Sequence, residues 1–197
     1  MKEFLKRYPC LSASETAIKE AVHLITDTYK KGGKLLLCGN GGSEADCDHI
    51  VGELMKGFLL CREVKDARIP EELRLSLQGA LPAISLPSAT AALTAFMNDV
   101  TPSMVYAQLL YGYAKENDLL VAISTSGNSE NVVNAARVAK AIGLRVLSLT
   151  GEKESLLSAL SDVSIRVPET ETYKVQELHL PVYHFLCAAT ERHFFGK

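Results

Sequence analysis

The sequence predicts a single α/β domain built on a parallel, doubly wound sheet. Short, continuously apolar segments alternate along the chain with longer segments of helical periodicity. Strands that are apolar on both faces are typical of a sheet covered by helices on both sides. Two of these segments are followed by a glycine- or serine-rich turn and then a helix, as in α/β proteins that bind ligands at the carboxyl ends of their strands. Residues 1–197 are expected to form one domain, with a helix preceding the sheet.

In the first half of the chain, capping residues and apolar segments define the predicted elements. A helix over 17–31 has Ser12 or Ser14 as its cap and ends at Gly32-Gly33. The remaining elements are, in order, a strand at 34–38, a turn at 39–43, a helix at 44–58, a long connection at 59–81 with a short helix near 71–77, and a strand at 83–86.

The second half continues the alternation. Thr101-Pro102 is an N-cap followed by proline, which predicts the start of a helix. The elements are, in order, a helix from Ser88 to about Met97, a helix from 101 to about 115, a strand at 118–125, a helix at 132–143, strands at 144–150 and 163–168, and a final helix from about 172 to 195.

The composition restricts the class of protein. A formal net charge of -2 over 197 residues argues against a large electrostatic surface for nucleic acid or for an anionic membrane. No apolar segment approaches the ~20 residues of a membrane span. Five cysteines at irregular spacing, and a start that does not resemble a signal peptide, predict free thiols and a cytoplasmic protein.

The two turns are candidate phosphate sites. The first contains Asn40, Gly41, Gly42 and Ser43, and the second contains Ser124, Thr125, Ser126 and Ser129. Backbone N–H groups at a helix N-terminus attract anions, and hydroxyl groups add donors. Neither turn matches a dinucleotide or P-loop motif. The alternative interpretation is a pair of tight turns in which serine only caps the next helix.

Four side chains on two predicted helices are candidates for chemistry. His49 and Glu53 are four residues apart, hence on one helical face, and Gln176 and His184 are eight apart on the final helix. If the helices face each other, the four groups converge on a divalent metal or supply an acid and a base. The alternative is an ordinary surface or core His–Glu pair.

Taken together, CGNGGS at 38–43, His49 with Glu53, Asn98-Asp99, STSGNS at 124–129 and Gln176-Glu177-x-His179-x-x-x-x-His184 resemble the SIS (sugar isomerase) domain family, and within it the phosphoheptose isomerase branch. The resemblance covers nearly the whole chain. It implies a flavodoxin-like five-stranded parallel sheet and a homotetramer with active sites between subunits.

The resemblance also implies functional roles. Glu53 would be the general base and His184 an acid/base, in converting sedoheptulose 7-phosphate to D-glycero-D-manno-heptose 7-phosphate. The hydroxyl residues of both turns would contact phosphate and sugar, and Asn98 and Asp99 would line the sugar site. In some relatives, positions equivalent to His49, Glu53, Gln176 and His184 bind zinc.

Two departures from the family pattern affect this interpretation. Tyr173 stands where relatives have an aspartate at the sugar, which leaves the identity of the sugar phosphate open. Pro181 lies inside the final helix, where a kink would change the direction of His184. A non-catalytic SIS module, either a sugar-phosphate sensor or a tetramer that binds the replication initiator, is the alternative function.

Overall fold

The computed structural model describes residues 1–196. Its centre is a five-stranded, all-parallel sheet in the order β2-β1-β3-β4-β5. The strands are β1 (Leu35–Cys38), β2 (Ala83–Ser85), β3 (Leu119–Ile123), β4 (Arg145–Thr150) and β5 (Val163–Arg166). Leu36 on β1 pairs with Ile84 on β2 and with Leu120 on β3. The predicted parallel, doubly wound sheet is confirmed.

Helices connect the strands and cover both faces. They are α1 (Lys2–Arg7), α2 (Glu15–Lys30), α3 (Gly42–Met55), α4 (Glu71–Arg74), α5 (Thr90–Asp99), α6 (Val105–Tyr113), α7 (Glu130–Ala141), α8 (Leu156–Leu160) and α9 (Thr172–Phe195). Short 3-10 helices lie at Pro9–Ser14, Leu86–Ser88 and Pro102–Met104. No helix within residues 1–196 is both long and apolar enough to cross a bilayer.

The alternation of side chains along β1 divides the core into two clusters. Leu35 and Leu37 pack into the cluster formed with α2, α3 and α9, whereas Leu36 and Cys38 pack into the cluster on the other face with α6 and α7. All four residues are fully buried, and burying one leucine side chain is worth about 1.5–3 kcal/mol. The continuously apolar strand is therefore explained by helices on both faces.

The structure differs from the prediction in two short helices and in how two of the longer helices begin. The sequence did not predict α1 and α8, which have six and five residues and are too short for a periodic signal. The predicted helix from Thr101 begins as a 3-10 turn and becomes α-helical only at Val105. Ser14 does precede α2, but its hydroxyl donates to the carbonyl of Arg166 instead of capping the helix.

Pro181 does not interrupt the final helix. α9 continues from Thr172 to Phe195 with Pro181 buried inside it. Gln176 and His184 therefore lie on one helix, as predicted. α9 packs against both α2 and α3, so its functional side chains face the helix that follows the first glycine-rich turn.

Candidate active site

Both predicted phosphate turns lie at the point where the strand order of the sheet reverses, between β1 and β3. β1 and β3 are neighbours, while β2 lies on the far side of β1, so the loops after β1 and β3 lead away from each other and leave a crevice. The turns are joined by an amide pair: Asn40 and Asn131 exchange two hydrogen bonds of 2.9 Å. The structure therefore brings the two turns together.

Tyr106, on α6, holds the backbone of the first turn. The Tyr106 hydroxyl donates to the carbonyl of Gly39 at 2.7 Å and to the Asn40 side chain at 3.0 Å. Gly41 has a φ of 55°, a left-handed conformation that favours glycine, and α3 begins directly after it. Ser43, in the first turn of α3, is buried.

The second turn concentrates hydroxyl groups at the start of α7. The Oγ atoms of Ser124 and Ser129 are 3.1 Å apart, and Ser124 Oγ also accepts from the Gly127 N–H. Ser126 Oγ accepts from the Asn128 N–H at 3.2 Å. Ser129 precedes α7, yet in the described chain its hydroxyl does not cap that helix. Hydroxyl donors at a helix N-terminus suit an anion.

An open cavity lies beside these turns. Its volume is about 530 Å³, within the range of small-molecule sites. Its lining comes from both turns and from the segment before α6: Asn40, Thr101, Pro102, Ser103, Ser129, Glu130 and Asn131. The Thr101–Ser103 wall was not predicted as part of the site, because its sequence only signals a helix start.

The predicted acid/base residues meet across α3 and α9. His49 Nε2 is 3.3 Å from Glu53 Oε1 on the next turn of α3. The same nitrogen is 3.3 Å from His184 Nε2 on α9. Lys56 Nζ lies 3.4 Å from the other Glu53 oxygen. The helices do face each other, as the prediction required.

Sequence reasoning missed two neighbours of His49. The Tyr183 hydroxyl donates to Asp46 Oδ1 at 3.1 Å and lies 3.0 Å from His49 Nδ1, so it holds the imidazole on the side away from His184. Asp46 and His49 are three residues apart on α3 and Tyr183 precedes His184, and these spacings were the available signal.

Gln176 connects the two parts of the site. It lies so close to Gly42 that a Cβ atom on Gly42 would be 2.6 Å from Gln176 Nε2. Since α9 also carries His184, one helix contacts the first turn and the His–Glu cluster.

Burial shifts the pKa values of these groups. Partial burial lowers the pKa of His184, the adjacent His49 lowers it further, and Glu53 opposes the shift. Burial also raises the pKa of Asp46, against the opposing effects of the Tyr183 hydrogen bond and His49. His184 is therefore a neutral imidazole near pH 7.

Three positions that the resemblance associates with the sugar make no hydrogen bond or ion pair with this cluster in the described residues. Asn98 and Asp99 lie at the exposed end of α5 and hydrogen-bond to each other at 2.9 Å. Tyr173 is 57% exposed in the first turn of α9.

The donor atoms fit a zinc ion in part. Tetrahedral ligands about 2.0–2.1 Å from zinc are about 3.3 Å from one another. The distances from His49 Nε2 to Glu53 Oε1 and to His184 Nε2 match this value. Residues 1–196 nevertheless contain no preformed cluster of three His, Cys, Asp or Glu side chains suited to a metal. Two of the donor–donor distances expected around a zinc ion are therefore present, but a complete set of ligands is not assembled in the described residues.

Comparison with known proteins identifies a matching family model and full-length relatives. Residues 9–151 match the family model described as SIS domain. Phosphoheptose isomerase of Helicobacter pylori strain P12 is 38% identical over 200 residues, covering 100% of this chain and 96% of the relative. That of Akkermansia muciniphila is 34% identical, covering 96% and 92%.

Solved structures give the same result. Phosphoheptose isomerase from Francisella tularensis aligns with a TM-score of 0.80 at 29% identity, covering 94% of this chain and 91% of that one. The enzyme from Neisseria gonorrhoeae aligns with a TM-score of 0.77 at 29% identity, covering 96% and 95%. The chain belongs to the SIS domain family and is an isomerase enzyme of that family.

Proposed function

We propose that the chain interconverts the aldose and ketose forms of a sugar phosphate, specifically sedoheptulose 7-phosphate and D-glycero-D-manno-heptose 7-phosphate. The observation that carries this proposal is the meeting of Glu53 and His184 around one nitrogen of His49, on helices that also contact the hydroxyl-rich crevice. Full-length relatives named phosphoheptose isomerase support a heptose substrate.

The proposed mechanism is a proton transfer through an enediolate. The Glu53 carboxylate removes the proton from the carbon next to the carbonyl of the open-chain sugar, and the electron pair moves onto the carbonyl oxygen. His184 donates a proton to that oxygen and accepts one from the neighbouring hydroxyl. Glu53 then returns its proton to the former carbonyl carbon, so no oxidant or reductant is consumed.

The phosphate end is proposed to bind at the second turn. Ser124, Thr125, Ser126 and Ser129 would supply donors, and the first turn of α7 supplies the favourable end of a helix dipole. Binding energy from this remote group would hold the reacting carbons next to Glu53. Asn98 and Asp99 are proposed to line the sugar site in the assembled protein.

Zinc is proposed as a bound ion with His49, Glu53, Gln176 and His184 as its ligands. The ion would supply Lewis acidity toward the sugar oxygens. A carboxylate bound to zinc is a weaker base, so the ligand role and the base role of Glu53 compete. Support comes from the two 3.3 Å donor distances among His49, Glu53 and His184. Gln176 lies beside Gly42 at the start of α3, so it would have to turn toward the other three side chains to bind the ion. Elemental analysis of protein purified without chelator tests it, and less than a tenth of an equivalent per chain would contradict a stable site.

The proposed assembly is a homotetramer with active sites between subunits. α5 contains no buried residue in the single chain although its sequence is largely apolar, and Val100 and Tyr111 are each more than 60% exposed. A second copy covering this surface would bring the exposed Asn98 and Asp99 against a neighbouring site. Light scattering at micromolar concentration tests the assembly, and a monomer would contradict it.

The deciding experiment is incubation of the purified protein with heptose, hexose and pentose phosphates, followed by measurement of aldose–ketose conversion. We expect conversion of sedoheptulose 7-phosphate. Because Tyr173 replaces an acidic residue at the sugar position of relatives, the panel also tests other chain lengths. Binding without conversion of any sugar phosphate would support the regulatory alternative.

A further inference from the structure

A buried ion pair lies behind the candidate active site. Arg62 follows α3 in the long connection, and Glu191 is near the end of α9. Their side chains are fully buried, and Arg62 Nε donates to Glu191 Oε1 at 2.8 Å. Burying two charges is unfavourable unless each finds further partners, so the remaining contacts of the pair show what it holds.

The guanidinium of Arg62 binds the end of α3. Its Nη2 atom donates to the carbonyl of Glu53 at 2.9 Å, and its Nη1 atom donates to the carbonyl of Leu54 at 2.6 Å. The last carbonyls of a helix have no partner within the helix. α3 ends at Met55, and the extended residue Lys56 that follows it provides no backbone cap in the described chain. Arg62 therefore caps the turn that carries Glu53.

The carboxylate of Glu191 binds the segment that follows. Its two oxygens accept from the backbone N–H groups of Phe58 and Leu59, each at 2.8 Å. The Phe58 ring in turn lies 5.5 Å from the His184 ring. Burial by itself raises the pKa of Glu191, but these backbone hydrogen bonds and Arg62 outweigh it, so the net pKa is lowered and the group is ionised.

The pair is thus connected to both proposed catalytic residues, to Glu53 through its backbone carbonyl and to His184 through Phe58. Glu191 is seven residues, about two helical turns, after His184 and lies on the same side of α9. Arg62 connects this point of α9 to the backbone of Glu53 itself. We infer that Arg62 and Glu191 are positioning residues that set the Glu53 carboxylate against the His184 imidazole. The inference rests on the proposed isomerase function.

A second ion pair, in which the carboxylate is buried and the lysine is partly exposed, provides the control. Lys34 precedes β1 and Asp118 precedes β3, so their ion pair is at the amino end of the strands, opposite the crevice. The Asp118 carboxylate is buried and accepts from the backbone N–H groups of Lys34 and Lys115 as well. Replacing Lys34 with Met removes the cation beside the buried Asp118 carboxylate, far from the proposed catalytic residues. Arg62→Met removes the cation beside the buried Glu191 carboxylate, close to them.

The test compares Arg62→Met with Lys34→Met at a temperature where both are folded. For Arg62→Met we expect kcat to fall at least tenfold while the Kd for the sugar phosphate changes less than twofold. For Lys34→Met, whose lysine is partly exposed, we expect a smaller loss of stability with kcat within twofold of wild type. Equal losses of kcat in both variants, or a kcat of Arg62→Met within twofold of wild type, would overturn the inference.

Amide hydrogen exchange separates this inference from the proposed function. Exchange of the amides at residues 52–55 should accelerate at least tenfold in Arg62→Met and remain unchanged in Lys34→Met. If wild type converts no sugar phosphate, the proposed function fails, and this exchange result alone decides whether the pair holds the turn. If Arg62→Met does not fold, Arg62→Lys is used instead. Lysine keeps the charge but cannot bond at once to Glu191 and to the carbonyls of Glu53 and Leu54, so we expect the same kcat loss and exchange pattern. Unchanged exchange would overturn the inference.

Discussion

The Nε2 atom of His184 lies 3.3 Å from the Nε2 atom of His49, and this contact is where α9 and α3 join their functional side chains. When no metal ion lies between them, one nitrogen donates its proton to the other, so at least one ring is neutral. Burial and the neighbouring His49 both lower the pKa of His184, which favours its neutral form. A neutral imidazole beside a carboxylate is suited to moving protons between substrate oxygens at pH 7.

Replacing Glu53 with Gln should abolish most turnover while retaining substrate binding. Glutamine keeps the shape of the side chain but cannot remove a carbon-bound proton, and general acid–base help is typically worth ~100- to 10,000-fold. We expect kcat to fall at least ~100-fold, with the Kd for the sugar phosphate nearly unchanged because the phosphate still binds at the second turn. Glu20→Gln, on an exposed position of α2, is the matched control. Near-normal turnover in Glu53→Gln would exclude Glu53 as the base.

Replacing Ser126 and Ser129 together with Ala should weaken sugar-phosphate binding. The two hydroxyls lie at the start of α7, and a hydrogen bond to a charged group contributes about 1.5–3 kcal/mol. We expect the Kd to rise at least tenfold by calorimetry, with an unchanged circular dichroism spectrum. Ser12→Ala removes a hydroxyl that, among residues 1–196, bonds only to the nearby Pro9 carbonyl, and it should have no effect. Equal affinities of wild type and double variant would argue against a phosphate at this turn.

The sheet could be predicted because its signals are local. Four consecutive buried residues in β1, and glycine- or serine-rich turns after β1 and β3, appear directly in the sequence. The pairing of His49 with Glu53 is also local, since both belong to one helix. The confirmed sheet therefore follows from periodicity and turn chemistry. The meeting of α3 with α9 joins residues 135 apart in the chain, and periodicity left it as a condition that only the structure fulfils.

The unpredicted contacts depend on residues far apart in the chain. Arg62 and Glu191 are separated by 129 residues, and no pattern in the sequence pairs one buried arginine with one buried glutamate. Tyr106 reaches Gly39 across 67 residues for the same reason. The sequence predicts only a long connection at 59–81 with a short helix near 71–77, and only the structure shows that Arg62 within it caps α3.

Replacing Gly42 with Ala should weaken substrate binding without unfolding the chain. The added Cβ would lie 2.6 Å from the amide of Gln176, and the flexible end of Gln176 must move away from the first turn. We expect the Kd for the sugar phosphate to rise severalfold. Gly52→Ala is the control on the same helix: it meets no neighbouring atom and should raise stability by about 0.5–1 kcal/mol. A Gly42→Ala variant with wild-type affinity would show that the position of Gln176 is unimportant.

His179 should make the protein less stable in weak acid. It is fully buried on α9, and its Nε2 atom lies 3.3 Å from the carbonyl of Thr150, so Nε2 carries the proton of the neutral ring. Its Nδ1 atom has no hydrogen-bond partner among the described residues. Burial lowers the pKa of His179 to about 4, against the opposing effect of the Thr150 hydrogen bond.

The sign of the effect follows from proton counting. Between a pKa of about 6.5 in the unfolded chain and about 4 in the folded one, the unfolded chain binds a proton that the folded chain does not. The stabilisation is therefore present above pH 6.5 and is lost as the pH falls toward 4, by up to about 3 kcal/mol. His179→Gln, whose amide can still donate to Thr150, should remove about one proton from the pH dependence of the unfolding free energy.

Urea denaturation of wild type and His179→Gln at pH 7, 6 and 5 measures this difference. Comparing the two proteins removes the contributions of the other titrating groups, and His23→Gln, on an exposed position of α2, controls for the loss of an imidazole. The free energy of unfolding of wild type should fall more steeply with acidity than that of His179→Gln. Parallel curves for the two proteins would mean that His179 takes up a proton equally in the folded and unfolded chain, and that its ring is not held neutral against the end of β4.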